Sequence, residues 1–181
     1  MVMVKELGNI FGNKSQFAIE AKLWQLDENP IFISWCLWIR GDMVGDIEQR
    51  ALLSAEMARI SKVTKHKGER HIPSVEMAAN NLTDKLVDAI WGDDYHYMQY
   101  PFSAYVDILS QHGECFQGYF VFLVEQKGYE WLLAKDNVEN NYYDIKLSAG
   151  MIYSYFEEFS AWIADSTMLT IRTEKALITN E

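Results

Sequence analysis

The residues nearest to a phosphate-binding loop lie close to the start of the chain, where Gly8 and Gly12 precede Lys14. Such a loop places four residues between its glycines and a glycine directly before the lysine, because consecutive backbone N–H groups must wrap the phosphate. Here three residues separate the glycines, and Asn13 stands before the lysine. The residues that follow alternate like a strand, whereas the loop should open a helix. The segment therefore does not predict nucleotide binding.

Histidines and cysteines could supply metal ligands or a nucleophile with its base. The chain holds four histidines and two cysteines: His66, His71, His96, His112, Cys36 and Cys115. No histidine pair has the spacing of a helical zinc motif, and no cysteine or carboxylate cluster completes a ligand set. His112 and Cys115 are near neighbours, but a Cys–His catalytic pair is normally assembled from distant segments and oriented by a third group. We predict no catalytic residue, no metal and no cofactor.

The composition indicates a folded protein whose acidic surface either favours a cationic partner or serves solubility alone. Of the 181 residues, 49% are apolar and 23% are charged, which is ordinary for a domain with its own core. The net charge of −10 repels the phosphates of nucleic acids and of anionic membranes. No apolar stretch is long enough to span a bilayer, and the N-terminus lacks the pattern of a secretory signal. We expect a cytoplasmic protein that binds neither nucleic acid nor membrane.

Two strand patterns follow a lead-in segment at residues 1–15. From Gln16 to Leu26 apolar and polar residues alternate, which is the period of a half-buried strand. Residues 31–39 are mostly β-branched or aromatic, which predicts a central strand buried on both faces. A turn cluster joins the two patterns into an antiparallel hairpin. Further strands are predicted at residues 116–125, 129–135 and 142–147.

Three helices are predicted from capping residues and apolar spacing. Asp46 is a candidate N-cap for a helix over residues 47–62. Ser74 caps a second helix, which Gly92 closes, and Ser148 opens the last one.

Three other segments complete the assignment. Residues 102–109 fit either a short helix or a strand, the basic stretch 64–71 is predicted to be an exposed loop, and residues 166–181 form a tail or an edge strand. The order of elements predicts an α+β fold, with a single antiparallel sheet of about five to six strands and helices packed on one face. We expect residues 1–181 to form one domain.

The opening third of the chain carries a family resemblance. Residues 10–20 (IFGNKSQFAIE), 35–41 (WCLWIRG) and 44–46 (VGD) resemble the immunity protein 42 family of bacterial polymorphic toxin systems. In that family a similar sequence leads into the first strand, and a similar second strand precedes a Gly-Asp dipeptide. The strand pair at 120–126 and 129–133 fits the same layout less specifically. These motifs are structural, so they indicate a family without marking a site.

The resemblance implies a small protein that binds and neutralises the C-terminal toxin domain of a cognate effector, delivered by contact-dependent inhibition or a related route. It carries over no catalytic residue. Such a binder blocks its toxin by shape and charge. Many such toxins are nucleases or other proteins with basic substrate grooves, and an acidic chain suits a basic partner of this kind.

Two segments combine acids with tyrosines and are predicted to contact the toxin, because tyrosine is a frequent interface anchor and carboxylates can pair with Lys or Arg. The first segment contributes Asp93, Asp94, Tyr95, Tyr97 and Tyr100. The second segment is a polar turn that contributes Asp136, Glu139 and Tyr142.

Two other classes of function stay open on the sequence alone. An aromatic pocket around Trp24, Trp35 and Trp38 would indicate a small-molecule-binding or regulatory domain. A cysteine hydrolase would use Cys115 with His112. The neighbouring gene would discriminate between these hypotheses and toxin neutralisation.

Overall fold

A computed structural model describes residues 5–25, 31–72, 77–92, 103–111 and 113–178. The fold is α+β, as predicted, with two antiparallel sheets. The first sheet has five strands: β1 Lys5–Asn13, β2 Phe17–Gln25, β3 Ile31–Ile39, β4 Asp42–Val44 and β5 Ala51–Leu52. The second sheet has three strands: β6 Tyr119–Gln126, β7 Tyr129–Asp136 and β8 Tyr142–Ser148. The helices are α1 Leu53–Lys65, α2 Ala79–Trp91, α3 Ser103–Val106 and α4 Met151–Ile178.

The alternating pattern in β2 forms the predicted half-buried strand. Phe17, Ile19, Ala21 and Leu23 are all buried on the inner face of the first sheet. The neighbouring strand β3 is almost completely buried on both faces, and it pairs with β2 in the predicted antiparallel hairpin. The pattern of β2 arises because side chains along a strand point alternately to its two faces. The strand β3 is central, with β2 on one side and β4 and β5 on the other.

One hydrophobic core joins the two sheets. Helices α1 and α4 and the inner faces of both sheets contribute buried side chains to it. Trp35 on β3 lies at its centre, with ring centroids 4.7 Å from Phe116 and 5.3 Å from Phe159. The opposite face of the second sheet packs against α2 through a separate cluster that includes Phe122 and Leu86. None of the described helices is long and apolar enough to cross a membrane.

The prediction of a single sheet is wrong. After β5 the chain passes through α1, α2 and α3 before it reaches β6. Among the described residues, the outer edge of β6 meets only isolated bridges, from His71 to Glu125 and from Asp107 to Phe122. Because irregular chain occupies this edge, β6 does not extend the first sheet. The helices also do not share one side, since α2 covers the face of the second sheet that turns away from α4.

Both chain ends carry more regular structure than predicted. The expected lead-in at residues 1–15 contains β1, which pairs with β2 along its whole length. Gly12 is required there, since its φ is +102° and an added Cβ would lie 2.4 Å from the Phe17 carbonyl oxygen. The expected tail or edge strand at 166–181 instead continues α4 to Ile178. No glycine or proline interrupts residues 166–178, so no residue there breaks the helix.

The first helix begins later than predicted. The Asp46 carboxylate accepts a hydrogen bond from the Glu48 N–H at 2.9 Å, so it caps a turn, and α1 starts only at Leu53. The second helix starts at Ala79 and ends at Trp91, while Ser74 lies outside the described residues. The undecided segment 102–109 contains the short helix α3.

Arg70 in the basic stretch is buried, although the stretch was predicted to be exposed. Its side chain is 2% exposed and donates to the Tyr153 hydroxyl at 2.6 Å and to the Tyr105 carbonyl at 2.7 Å. The Tyr153 hydroxyl in turn donates to the buried Glu125 carboxylate. This network compensates the buried charge and ties the end of α1 to β6 and α4.

Glu130 on β7 holds the N-terminus of α4. Its buried carboxylate accepts the N–H groups of Gly150 and Ile152, the latter at 2.7 Å. We expect Glu130→Ala to lower the free energy of unfolding by about 1–3 kcal/mol, because two N–H groups lose their acceptor. Urea denaturation measures the change, with the exposed Glu158→Ala as a control expected to shift it by less than about 0.5 kcal/mol. Equal stability of the two variants would refute this role of Glu130.

Candidate interaction surfaces

The turn between β7 and β8 is built by one of the predicted site residues. Asp136 is only 8% exposed, and its Oδ1 atom accepts the N–H groups of Val138 at 2.8 Å and Glu139 at 3.1 Å. This arrangement holds Val138 at the tip with 85% of its surface exposed. Glu139 is exposed beside it and accepts a hydrogen bond from the Asn141 side chain at 3.0 Å. Asp136 therefore shapes the turn, while Val138 and Glu139 face solvent.

Two half-buried tyrosines lie next to this turn. Tyr119 stands directly opposite Asp136 in the pairing of β6 with β7, and Tyr143 lies on β8 on the same inner face. Burial raises the pKa of Tyr119, and the charges of Asp136, Glu139 and Asp46 raise it further. These negative charges come from the end of β7, from the turn that follows it and from the segment after β4.

The pKa of Tyr143 is affected in the same way. Burial is the largest cause of the raised pKa, and a hydrogen bond with Asn141 opposes it. The charges of Asp136, Asp42 and Glu139 raise the pKa of Tyr143 further. Asp42 is the first residue of the short strand β4 in the first sheet, and Asp46 lies two residues after the end of that strand. We name this set the acid–tyrosine surface and define it as Asp42, Asp46, Tyr119, Asp136, Glu139 and Tyr143.

The acid–tyrosine surface carries four carboxylates that lack an internal cation. In the described part of the chain none of the four forms an ion pair. The nearby Arg40 is directed to Asp144, with 3.8 Å between the charged atoms. The surface therefore joins uncompensated negative charge to aromatic rings and to the exposed Val138, a combination suited to a basic protein partner.

Tyr142 does not belong to this surface, although it was predicted together with Asp136 and Glu139. Its hydroxyl donates to the Asp84 carboxylate on α2, with distances of 2.8 and 2.9 Å to the two oxygens. Lys135 Nζ lies 2.7 Å from the same carboxylate. Since neighbouring strand residues point to opposite faces, Tyr142 fastens β8 to α2 while Tyr143 faces the other way.

The Asp84 interactions predict a pH dependence of stability. Burial acts to raise the pKa of Asp84, but the bonds from Lys135 and Tyr142 outweigh it and lower the pKa below its usual value. A lowered pKa stabilises the folded state above the unfolded pKa, and this stabilisation is lost as the pH falls below about 4. We expect Asp84→Asn to cost up to about 1 kcal/mol at pH 7 and less below pH 4, because the pair is partly exposed.

Urea denaturation between pH 3 and pH 7 measures this difference. Asp88→Asn, an exposed position on the same helix, controls for the loss of one acidic charge. A cost of Asp84→Asn that stays constant from pH 7 to pH 3 would contradict the assignment.

The first predicted segment, Asp93, Asp94, Tyr95, Tyr97 and Tyr100, lies outside the described residues, as do His96 and His112.

The predicted aromatic pocket does not exist as one site. Trp35 faces the inner core, while Trp24 and Trp38 lie on the outer face of the first sheet. The two outer rings are also occupied by neighbouring side chains. Arg50 stacks on Trp24 at 4.0 Å, and Lys14 stacks on Trp38 at 4.2 Å. The three indoles are therefore not grouped around a common ligand position.

Cys115 lacks the surroundings of a nucleophile. It is buried, its Sγ lies 3.4 Å from the Gln49 carbonyl oxygen, and burial raises its pKa to about 11. A catalytic thiolate needs a lowered pKa and access to substrate. Within the described ranges, no group of three or more His, Cys, Asp or Glu side chains could hold a metal ion.

The thiols provide a direct test of this conclusion. Burial also raises the pKa of Cys36, to about 12. We expect both thiols of the native protein to resist iodoacetamide at pH 8 and to react fully once the chain is unfolded in urea, because only the thiolate reacts. Mass spectrometry counts the adducts. Rapid alkylation of native Cys115 would instead support a reactive cysteine.

Comparisons with known proteins agree with this geometry. The model of the family "Immunity protein 42" matches residues 3–162, so the chain belongs to the immunity protein 42 family. A crystal structure titled as CdiI from Burkholderia dolosa AUO158 has the same fold, with a TM-score of 0.63 and 15% sequence identity. The match covers 84% of this chain and 99% of that one. A search of curated proteins gives no significant match. Family membership supports a toxin-neutralising immunity role.

Proposed function

We propose that this protein binds a cognate toxin C-terminal domain in the cytoplasm and neutralises it by covering its active site or substrate groove. Membership of the immunity protein 42 family is the observation that carries the proposal. The protein titled CdiI, which shares the fold, is named for an immunity function in contact-dependent inhibition, and the proposal extends that class of function to this chain.

The acid–tyrosine surface is the proposed centre of recognition. Tyrosine rings contribute apolar contact area at a small entropic cost, and a neighbouring carboxylate can pair with Lys or Arg of the partner. Val138 adds an apolar contact that protrudes from the turn. Asp136 would act mainly by shaping the turn, whereas Asp42 and Glu139 are exposed to the partner.

The segment with Asp93, Asp94, Tyr95, Tyr97 and Tyr100 is proposed as a second contact region on its composition alone. Tyr142 has a structural role in the proposal, because its hydroxyl is already engaged by Asp84.

The proposed partner is a basic domain, and a nuclease is the class that fits best. A nuclease groove that binds phosphates is lined by Lys and Arg, and the exposed carboxylates of Asp42 and Glu139, which have no internal cation among the described residues, complement such a groove. The net charge of −10 would also accelerate the encounter at low ionic strength. Rapid capture matters for an inhibitor that must reach the toxin before the toxin reaches its substrate.

The proposed function is tested with the toxin domain encoded next to the gene for this chain. Co-expression is expected to restore growth of cells that produce the toxin domain, and the two chains are expected to co-purify in a one-to-one complex. If the protein neither restored growth nor formed a complex, the proposed function would be rejected.

The proposed surface is tested by reversing its charge. We expect Asp42→Lys with Glu139→Lys to weaken toxin binding by about 10²-fold or more at 0.15 M salt, because an attractive pair becomes repulsive at two positions. Isothermal titration calorimetry measures the affinity. Glu157→Lys with Glu158→Lys on α4 makes the same change of net charge elsewhere and is expected to change the affinity by less than about fivefold. Equal losses for the two double variants would remove the acid–tyrosine surface from the proposal.

A further inference from the structure

The strand β1 has a free edge among the described residues. It pairs with β2 without a bulge from Lys5 to Asn13, and no described strand lies on its other side. Natural edge strands are usually protected by proline, bulges or inward-pointing charges. This one contains no proline and exposes two large apolar side chains, Leu7 at 39% and Ile10 at 47%. The charged residues Lys5 and Glu6 lie at one end of β1, so the rest of its free edge is uncharged and is open to another strand in the described part of the chain.

The hydrogen-bonding groups on this edge can be assigned to particular residues. The Ile10 N–H is bonded to the Asn9 side-chain oxygen at 2.9 Å, so it points away from β2. Because residues of an antiparallel strand face alternate sides, the N–H and C=O groups of Glu6, Gly8 and Gly12 point to the same free edge. The Ile10 N–H can exchange its local bond to the Asn9 side chain for a bond to a carbonyl group of a second strand.

We propose that β1 pairs antiparallel with β1 of a second copy of this chain and joins the two first sheets into one. When the strands overlap along their full length, the two-fold axis passes through Asn9. Gly8 then lies opposite Ile10, and Leu7 lies opposite Phe11. Glu6 lies opposite Gly12.

The residues fit this register in size and location. Ile10 of one copy lies beside Gly8 of the other, and a Cβ added at Gly8 would approach only a backbone oxygen, at 3.8 Å. Leu7 lies on the inner face of the sheet, where the partner's Phe11 is buried against Phe159 and Trp162. The core of each copy therefore extends to cover the exposed Leu7 of the other.

The charges along β1 also permit a second copy as the partner of this strand. No like charges stand opposite each other in this register, since Glu6 faces a glycine. The acidic residues proposed to meet the toxin lie on the acid–tyrosine surface, so the two sites can act together. Two copies of net charge −10 repel each other, and strand pairing alone covers less than a standard interface, so we expect a weak dimer that high salt strengthens.

The first experiment measures the mass in solution. The chain of 21.0 kDa is expected to move towards twice that mass, about 42 kDa, as its concentration rises from 5 to 500 µM in analytical ultracentrifugation. Ile10→Lys is expected to weaken the dimer by about tenfold or more, because lysine on an edge strand opposes pairing. Leu52→Lys is the control, since Leu52 is 50% exposed on the same face but lies on β5 at the other side of the sheet.

The second experiment tests the register. In the proposed pair Asn9 faces Asn9 of the second copy with about 4.5 Å between Cα atoms, which suits a disulfide. Asn9→Cys is expected to form a covalent dimer under mild oxidation, whereas Leu7→Cys on the same face is not, because Leu7 faces Phe11. The native Cys36 and Cys115 are buried and do not interfere.

Three outcomes would overturn the inference. One is a monomer at every concentration and salt, and another is equal dimerisation of Ile10→Lys and Leu52→Lys. The third is a monomeric protein whose toxin affinity falls with Ile10→Lys, which would assign the edge to a toxin strand. The mass and cross-linking measurements need no toxin, so they can fail while toxin neutralisation stands.

Discussion

The packing of the fold depends on the burial of the Trp35 indole. Its ring contacts Phe116 in the turn before β6 and Phe156 and Phe159 on α4, so one side chain of β3 joins the sheet to elements distant in sequence. A buried indole N–H needs an acceptor, and Glu56 on α1 supplies it at 3.0 Å.

The Glu56 carboxylate, once buried, needs hydrogen-bond donors of its own. Glu56 is fully buried, and burial raises the pKa of its carboxyl, although the bonds from Trp35 and Arg59 oppose that increase. Arg59 one turn along α1 donates to the same carboxylate. The position of α1 on the sheet is therefore fixed by a chain of contacts that starts at Trp35. After α1 the chain continues to the second sheet, in which β6 and β8 begin and β7 ends near β4. Residues from these strand ends and from the region of β4 form the acid–tyrosine surface.

Local patterns in the sequence predicted several of the strands. The period of β2, the apolar run of β3 and the hairpin of β6 and β7 each depend on neighbouring residues, so the sequence was enough to identify them. The division into two sheets was not predictable in this way, because it depends on which chain segment occupies the edge of β6. The helical extension of α4 was missed because the residues after Ile163 have no clear apolar period.

The candidate site was predicted only in part for the same reason. The turn with Asp136 and Glu139 was visible as a polar cluster between two strands. Tyr119 could have been found from the β6–β7 register, which places it opposite Asp136. Asp42 and Asp46 could not, since only the packing of the two sheets brings them near the tyrosines. Tyr142 was predicted together with this turn, but its bond to Asp84 depends on the packing of α2 against β8, which composition does not reveal.

Hydrogen exchange of the chain with and without its toxin domain tests the central claim most directly. Binding through the acid–tyrosine surface predicts slower exchange in the backbone of residues 42–46 and 136–143, because partner contact and reduced local opening protect these amides. The first strand and the C-terminal half of α4 should exchange at the same rate in both samples at low micromolar protein concentration. Unchanged exchange in both acidic segments, with protection elsewhere on the molecule, would contradict the account.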